Sequence, residues 1–184
     1  GAVFMGTVAE LLEPTTDESW GTELVSSAGG KGVIAPVTIV DLNADGELDV
    51  VVAEFGGRVR VLHGPLFVEA WHVDFEGEET YGTPVPVRMA DGSYALAFTH
   101  NVGVFPFYTG TVHRVLRASD GALLMRVDST VGGFSSSPLA VDLDGDGNDE
   151  VIVGTTYVLA PPLTAEIQIL DVARETAETY ELPF

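Results

Sequence analysis

Two short acidic segments carry oxygen-bearing side chains at matching positions. The first, from Asp41 to Asp49, reads DLNADGELD, and the second, from Asp142 to Glu150, reads DLDGDGNDE. In both segments side-chain oxygens occupy positions 1, 3, 5 and 9, and a glycine occupies position 6. Calcium takes about six to eight hard oxygen ligands from a flexible loop, and glycine permits the sharp bend. The spacing therefore predicts two calcium-binding loops.

The charges of the two segments also predict their relative affinities. Three or four carboxylates packed this closely repel one another unless a cation lies among them, which disfavours the alternative of solvated acidic turns. The first segment offers three carboxylates and one amide, whereas the second offers four carboxylates. We therefore expect the 142–150 segment to bind calcium more tightly.

An EF-hand is the alternative that shares the beginning of this pattern. That motif requires a bidentate glutamate at position 12 and a helix on each side. Position 12 is Val52 in one copy and Val153 in the other, and each lies in a run of β-branched residues. The ninth-position Asp49 or Glu150 is expected to complete the ligand shell instead. The two segments are therefore not EF-hands.

The segments recur within a longer repeat, which predicts the fold. The glycine of an Asp-Gly pair falls at positions 46, 92 and 147, and the middle copy offers only Asp91, so no ion is expected there. Each period holds four strand-like pieces separated by turn residues, as in the blade of a β-propeller. The predicted strands are 35–41, 49–55, 58–63 and 67–75; 83–89, 93–99, 111–118 and 122–128; and 136–142, 150–158, 165–171 and 177–183.

The N-terminal residues fit the same scheme with the first strand of a blade missing. Val3–Met5, Val8–Leu12 and Ser19–Ser26 are the candidate strands, and Trp20 corresponds to Trp71 of the next blade. The prediction is an all-β protein of about three full four-stranded antiparallel blades and one incomplete blade. The single unit 1–184 divides into 1–33 (partial blade), 34–79 (blade with calcium loop), 80–132 (degenerate blade) and 133–184 (blade with calcium loop).

A propeller must close its ring, because an open blade face leaves apolar surface in water. The incomplete blade could be completed by the C-terminal end, by another molecule or within a larger ring. The C-terminal strand is already assigned to the third blade, so we favour completion from outside this chain, either by self-association or by a further segment.

The pattern D-x-[DN]-x-D-G-x-x-[DE] between two strands resembles the FG-GAP/VCBS repeats of integrin α-subunit propellers. Similar repeats occur in exported bacterial proteins, fungal lectins and some polysaccharide lyases. The resemblance covers about residues 35–155, and the rest of the chain agrees by periodicity only. It implies that the seventh residue of each loop, Glu47 or Asn148, binds calcium through its backbone carbonyl. The full ligand sets implied are Asp41, Asn43, Asp45, Glu47 and Asp49, and Asp142, Asp144, Asp146, Asn148 and Glu150.

Composition restricts the partners of the chain. There are 28 acidic and 8 basic residues, for a net charge of −20, and cysteine is absent. Such a surface repels nucleic acid and anionic membranes, and the sequence has no apolar run of about 18 residues that would span a bilayer. Weak calcium sites stay filled at the calcium concentrations found outside cells. We therefore expect an extracellular or cell-surface protein.

Residue patterns for catalysis are weak. The four histidines lack metal-ligand spacing, Ser135–Ser137 lacks a nucleophile elbow, and Gly29–Gly32 lacks the phosphate-loop spacing. The aromatic segment Phe105-Pro106-Phe107-Tyr108 lies in an expected insertion and is the best candidate for a partner contact.

These patterns predict a calcium-stabilised, non-enzymatic scaffold that contacts a protein partner or copies of itself. The alternatives are a glycan-binding, lectin-like propeller and a segment of a larger propeller-type polysaccharide lyase. Fold alone does not decide among them.

Overall fold

The computed structural model describes residues 2–5, 22–26, 31–129, 133–157 and 164–183. β-Strand makes up 58% of the structure, and no helix occurs in these ranges. Consequently, the described chain contains no helix that could span a bilayer. All strand pairs are antiparallel, and the sheets are open. The all-β prediction is confirmed.

A two-stranded pair and a four-stranded sheet form the N-terminal half. Strands β1 (Ala2–Met5) and β2 (Thr22–Ser26) pair with a bulge between Val3 and Phe4. The first sheet has its strands in chain order, and they are β3 (Thr38–Val40), β4 (Asp49–Ala53), β5 (Arg58–His63) and β6 (Val68–Asp74).

The second sheet adds one short strand to the same plan. Its main strands again run in chain order, and the short β7 pairs with β9 on the side where β8 also pairs. The strands are β7 (Glu78–Glu79), β8 (Val85–Arg88), β9 (Tyr94–Val104), β10 (Phe107–Arg117) and β11 (Leu123–Ser129).

The third sheet repeats the arrangement of the second. The short β12 pairs with β14 beside β13, and the remaining strands follow in order. The strands are β12 (Phe134–Ser135), β13 (Leu139–Val141), β14 (Glu150–Tyr157), β15 (Thr164–Asp171) and β16 (Thr176–Leu182).

The sheets pack face to face in chain order. Residues from β4 and β5 form one buried cluster with residues from β9 and β10, and the opposite face of the second sheet packs on β14 and β15. On its other face, the first sheet packs against Val3 of β1. Each valine or leucine buried in these clusters contributes about 1.5–3 kcal/mol. Valine-rich β4 is buried along its whole length because both of its faces are covered.

A side chain of the outer strand β6 also ties two sheets together. Trp71 packs against the cluster between the first and second sheets, and its Nε1 donates to the Ala118 carbonyl at 2.8 Å. Trp71 therefore packs between the first and second sheets. Trp20 and the predicted strand Val8–Leu12 lie outside the described residues.

Most predicted strands match the structure within three residues at each end. The difference lies at residues 100–110, which were expected to form an insertion. β9 and β10 instead extend through this segment as one long hairpin, pairing from Phe107↔Val104 to Arg117↔Ala95. The short strands β7 and β12 were not predicted.

Candidate functional site

The two acidic loops occupy equivalent places in their sheets. Residues 41–48 connect β3 to β4, and residues 142–149 connect β13 to β14. Gly46 has a φ of 90° and Gly147 a φ of 91°, a backbone conformation that favours glycine. The sixth-position glycine therefore has the role in both bends that the sequence predicted.

The second loop brings its first three carboxylates together. Asp142, Asp144 and Asp146 each offer an oxygen within 4.8 Å of the others. The loop backbone orients these carboxylates, since Asp142 accepts from Gly145 N at 2.7 Å and from Gly147 N at 3.1 Å. Such a set of carboxylate oxygens matches the preference of hard divalent cations.

Glu150 adds a buried carboxylate to this loop. Its Oε2 accepts from Leu143 N at 2.7 Å, whereas its Oε1 is buried and has no hydrogen-bond partner. Only 5% of the residue is exposed. A buried carboxylate oxygen without a partner is costly, and a bound cation would satisfy it. The second loop therefore combines three clustered carboxylates with one buried carboxylate oxygen that has no hydrogen-bond partner.

The first loop is organised differently at its ninth position. Asp49 is fully buried. Its oxygens accept hydrogen bonds from Leu42 N at 2.9 Å, from Gly64 N at 3.1 Å and from His63 Nδ1 at 3.0 Å. The Asp49 carboxylate therefore already has three partners, whereas Glu150 retains an unused oxygen.

The other candidate metal ligands of the first loop lie at the protein surface. Asp41 accepts from Asp45 N and Gly46 N at 3.2 and 2.9 Å, and the Asn43 amide donates to Asp45 at 2.9 Å. Across the part of the chain that the structure describes, only the second loop gathers three carboxylates within 4.8 Å.

Hydrogen bonds hold the fifth-position aspartates in their charged form. The Glu47 N–H and then the Asn43 amide lower the pKa of Asp45. The Asn148 N–H and the Asn148 side-chain amide lower the pKa of Asp146 in the same way. Both side chains are thus ready to bind a cation at neutral pH.

The seventh-position residues were expected to act through their carbonyls. Glu47 N and Asn148 N each donate at 2.8 Å to the aspartate two residues earlier, which turns the loop back on itself. Participation of the Glu47 and Asn148 carbonyls in a ligand shell stays a prediction.

The second loop also joins two sheets. Asp149 N donates to the Arg88 carbonyl at 2.8 Å, and Arg88 N donates to the Asp149 carboxylate at 2.8 Å. Next to this pair, Ala90 N donates to Asn148 Oδ1 at 2.9 Å. The loop that links β13 to β14 is therefore bonded to the end of β8 in the second sheet.

An arginine far along the chain contacts the same loop. Arg174, in the turn between β15 and β16, lies 2.6 Å from Asp144 Oδ2 and 2.8 Å from Asp146 Oδ2. It also pairs with Asp171 at 2.6 Å. Asp171, followed by Asp144, raises the pKa of the Arg174 guanidinium. The sequence motif contains no sign of this contact, because Arg174 belongs to a different turn.

The middle repeat has a simple polar turn. Asp91 accepts from Ser93 N at 2.9 Å and from the Ser93 hydroxyl at 2.6 Å, which is an ordinary aspartate turn. The absence of an ion from this turn stays a prediction.

The polar residues considered for catalysis have other contacts. His113 is buried between Thr99 and Thr155, at 2.9 and 3.4 Å from their hydroxyls. Ser135 contacts Asn101, and Ser136 accepts from Gly154 N. The prediction that the protein is not an enzyme stays a prediction.

The tip of the β9–β10 hairpin exposes apolar side chains. Phe107 is 81% exposed, and Val104 and Phe105 are each more than half exposed. Tyr108 beside them is buried, and its hydroxyl donates to Glu79 at 2.8 Å and contacts the Tyr81 hydroxyl at 2.7 Å. The exposed apolar tip of the hairpin is thus supported from below by buried, hydrogen-bonded side chains.

Comparison with known proteins does not assign this arrangement to a family. No family model matches the sequence, and no curated protein or solved structure is significantly similar to it.

Proposed function

We propose that this chain is a calcium-stabilised module of β-propeller blades that works as a non-enzymatic scaffold outside the cell. In this proposal the second loop binds calcium through Asp142, Asp144, Asp146 and Glu150. The first loop binds a second ion through Asp41, Asn43, Asp45 and Asp49. The scaffold contacts a protein partner or copies of itself.

The observation that carries the proposal is the buried Oε1 of Glu150. Exposed acidic groups are common without a metal, but a carboxylate oxygen that is buried without a partner is costly, and a bound cation would satisfy it. Glu150 lies at the end of a loop whose other three carboxylates are within 4.8 Å of one another. These four oxygen donors suit calcium better than zinc, which prefers nitrogen and sulfur ligands.

Two further observations support the blade arrangement and the location. Three sheets contain four strands in chain order and pack face to face in succession, which is how neighbouring blades pack in a propeller. The loops are short and solvent-accessible, so we place their affinity in the range of extracellular calcium modules. We therefore propose that the protein works outside the cell, where calcium concentrations would keep such sites filled.

Calcium titration by calorimetry tests the proposal, together with thermal unfolding in excess calcium and in EDTA. An ion present at about 100 times its Kd adds about 2.7 kcal/mol of stability. For a protein of this size we expect EDTA to lower the Tm by about 5–10 °C for each ion removed. The Asp91→Asn variant is the matched control, because it removes an exposed turn carboxylate outside both loops. An unchanged Tm and no heat of binding would refute the proposal.

The exposed hairpin tip favours glycan binding as a second candidate function. Aromatic rings that project into solvent can stack on sugars, and Phe107 is the most exposed of them. A glycan array compares the native chain with Phe107→Ala. Loss of a positive signal on substitution would support lectin-like binding, whereas signal from neither protein would favour a contact with protein.

A further inference from the structure

Arg174 takes up the carboxylate oxygens that the second loop does not use internally. Asp144 Oδ1 accepts from Asp146 N at 3.1 Å, and Asp146 Oδ1 accepts from Asn148 N at 2.8 Å. The second oxygen of each carboxylate is the one that meets Arg174, at 2.6 and 2.8 Å. The guanidinium therefore binds the same two oxygens that remain for a metal ion.

The position of Arg174 is fixed by its own turn. Asp171 Oδ1 accepts from Arg174 N at 2.9 Å, and Asp171 Oδ2 accepts from the Arg174 side chain at 2.6 Å. Arginine keeps its charge at every accessible pH and offers several N–H donors in a rigid fork. Asp171 thus holds a permanent cation against the loop.

The first loop lacks such a contact. The Asp45 oxygen that corresponds to the Arg174-bound oxygen of Asp146 accepts instead from the neutral Asn43 amide, at 2.9 Å. Within the described ranges, no arginine forms an ion pair with Asp41 or Asp45. The two loops therefore differ in whether a positive side chain already occupies them.

We propose that Arg174 is a built-in counter-cation that competes with calcium for Asp144 and Asp146. This inference rests on the proposed calcium-binding function. Without calcium, Arg174 neutralises the loop and holds the β15–β16 turn against it. When calcium binds, the guanidinium gives up the two oxygens and stays attached to Asp171. Competition lowers the affinity of the second loop, so counting carboxylates alone overestimates it.

Substitution of Arg174 by glutamine tests the competition. Calcium binding is compared with and without Arg174→Gln, and both proteins carry Asp45→Asn to weaken the first loop, so that calorimetry reports on the second loop. Calcium no longer has to displace the guanidinium from two carboxylates, so losing the Arg174 contacts to the loop is expected to tighten calcium binding about tenfold. Arg174→Gln also lowers the Tm in EDTA, and it increases the rise in Tm when calcium is added.

Arg117→Gln is the matched control. Arg117 is 52% exposed in its side chain, compared with 50% for Arg174, and it forms one ion pair with an aspartate three residues away. It does not contact the acidic loops, so its removal leaves calcium affinity unchanged. Arg174→Lys retains the charge without the fork and is expected to give an intermediate affinity.

The outcomes separate this inference from the proposed function. If the Asp45→Asn protein binds calcium and Arg174→Gln leaves the affinity equal or lower, the competition is refuted while the site stands. If neither protein binds calcium, the second loop is not a calcium site and the competition is refuted with it, and titration of the native chain then decides whether the first loop binds an ion. Tighter binding in Arg174→Gln together with an unchanged Arg117→Gln supports the counter-cation role.

Discussion

Asp49 and Glu150 close their loops through the same backbone contact but differ in their second oxygen. Asp49 accepts from Leu42 N at 2.9 Å, and Glu150 accepts from Leu143 N at 2.7 Å. The other oxygen of Asp49 meets His63 and Gly64, whereas that of Glu150 is buried without a partner. The ninth position of the motif therefore has all of its oxygens bonded within the protein in the first loop, whereas in the second loop it keeps one oxygen that could bind a ligand.

We expect Asp49→Asn to destabilise the protein whether or not calcium is present. The amide cannot accept from both Leu42 N and Gly64 N in the way the carboxylate does, and each hydrogen bond to a charged group contributes about 1.5–3 kcal/mol. Urea unfolding in EDTA is expected to show a loss of about 2 kcal/mol or more. A loss that appears only with calcium present would contradict a structural role for Asp49.

The Glu150→Gln variant is expected to lose stability mainly in calcium. The glutamine keeps an oxygen for Leu143 N, but it removes the negative charge from the proposed ligand shell. Binding at the second loop is expected to weaken, and the rise in Tm on adding calcium is expected to shrink by about half, since one of two ions is affected. The measurement is thermal unfolding of the native and variant chains with calcium and with EDTA. An unchanged response to calcium would count against Glu150 as a ligand.

Two buried histidines predict a loss of stability in mild acid. Burial, followed by the nearby Arg114, lowers the pKa of His100 to about 3, and burial lowers that of His113 to about 4. The unfolded chain binds these protons near pH 6.5, so it holds more protons than the folded chain below that pH. Stability is therefore full above about pH 6.5 and falls by up to about 1.4 kcal/mol per pH unit for each histidine as the pH drops to about 4.

The His100→Phe variant tests the source of this slope. His100 packs between Phe75 and Phe98 at 5.1 and 5.2 Å between ring centroids, and neither of its ring nitrogens has a hydrogen-bond partner. Phenylalanine fits this aromatic contact and cannot titrate. Urea unfolding in EDTA between about pH 4 and 6.5 is expected to show roughly half the native slope, with His113 providing the rest. The same slope in both proteins would exclude His100 as its source.

Glu78 and Arg114 form a buried ion pair that is expected to be sensitive to substitution of a single partner. Two contacts of 2.6 and 2.7 Å join them, and the Arg114 guanidinium lies 4.1 Å from the centre of the Phe75 ring. Arg114 is only 4% exposed, so Glu78→Gln leaves a buried cation without its counter-charge. Chemical unfolding is expected to show a loss of about 3–5 kcal/mol.

The surface pair of Arg58 and Asp74 provides the control for that substitution. Asp74 is 46% exposed in its side chain and lies 2.6 Å from Arg58. Because water screens this pair, Asp74→Asn is expected to cost less than about 1 kcal/mol. Equal losses in Glu78→Gln and Asp74→Asn would show that burial does not set the contribution of the inner pair.

The strands of the first sheet were predictable from local sequence. Valine-rich β4 and the alternating β5 are bounded by turn residues, and both lie where the pattern placed them. The long β9–β10 hairpin was not predictable in this way, because Asn101 and Gly103 interrupt the strand pattern. Pairing with β10, and with the short β7 near Asn101, makes this segment a strand despite its local preference.

The candidate site was likewise predictable only where it depends on local sequence. Ligand positions within each loop follow from spacing over nine residues, so the sequence could indicate them. The contacts of the loops with the rest of the chain depend on the fold. Arg174, which contacts Asp146, lies in the turn between β15 and β16, and His63, which contacts Asp49, lies at the end of β5. No local sequence pattern connects either residue to the loops.

The bonds from Asn148 and Asp149 to Ala90 and Arg88 place the second loop at a joint between sheets. An ion that stiffens this loop would also stiffen the seam along which the third sheet separates from the second. Pulling the chain from its ends would then meet greater mechanical resistance in calcium than in EDTA.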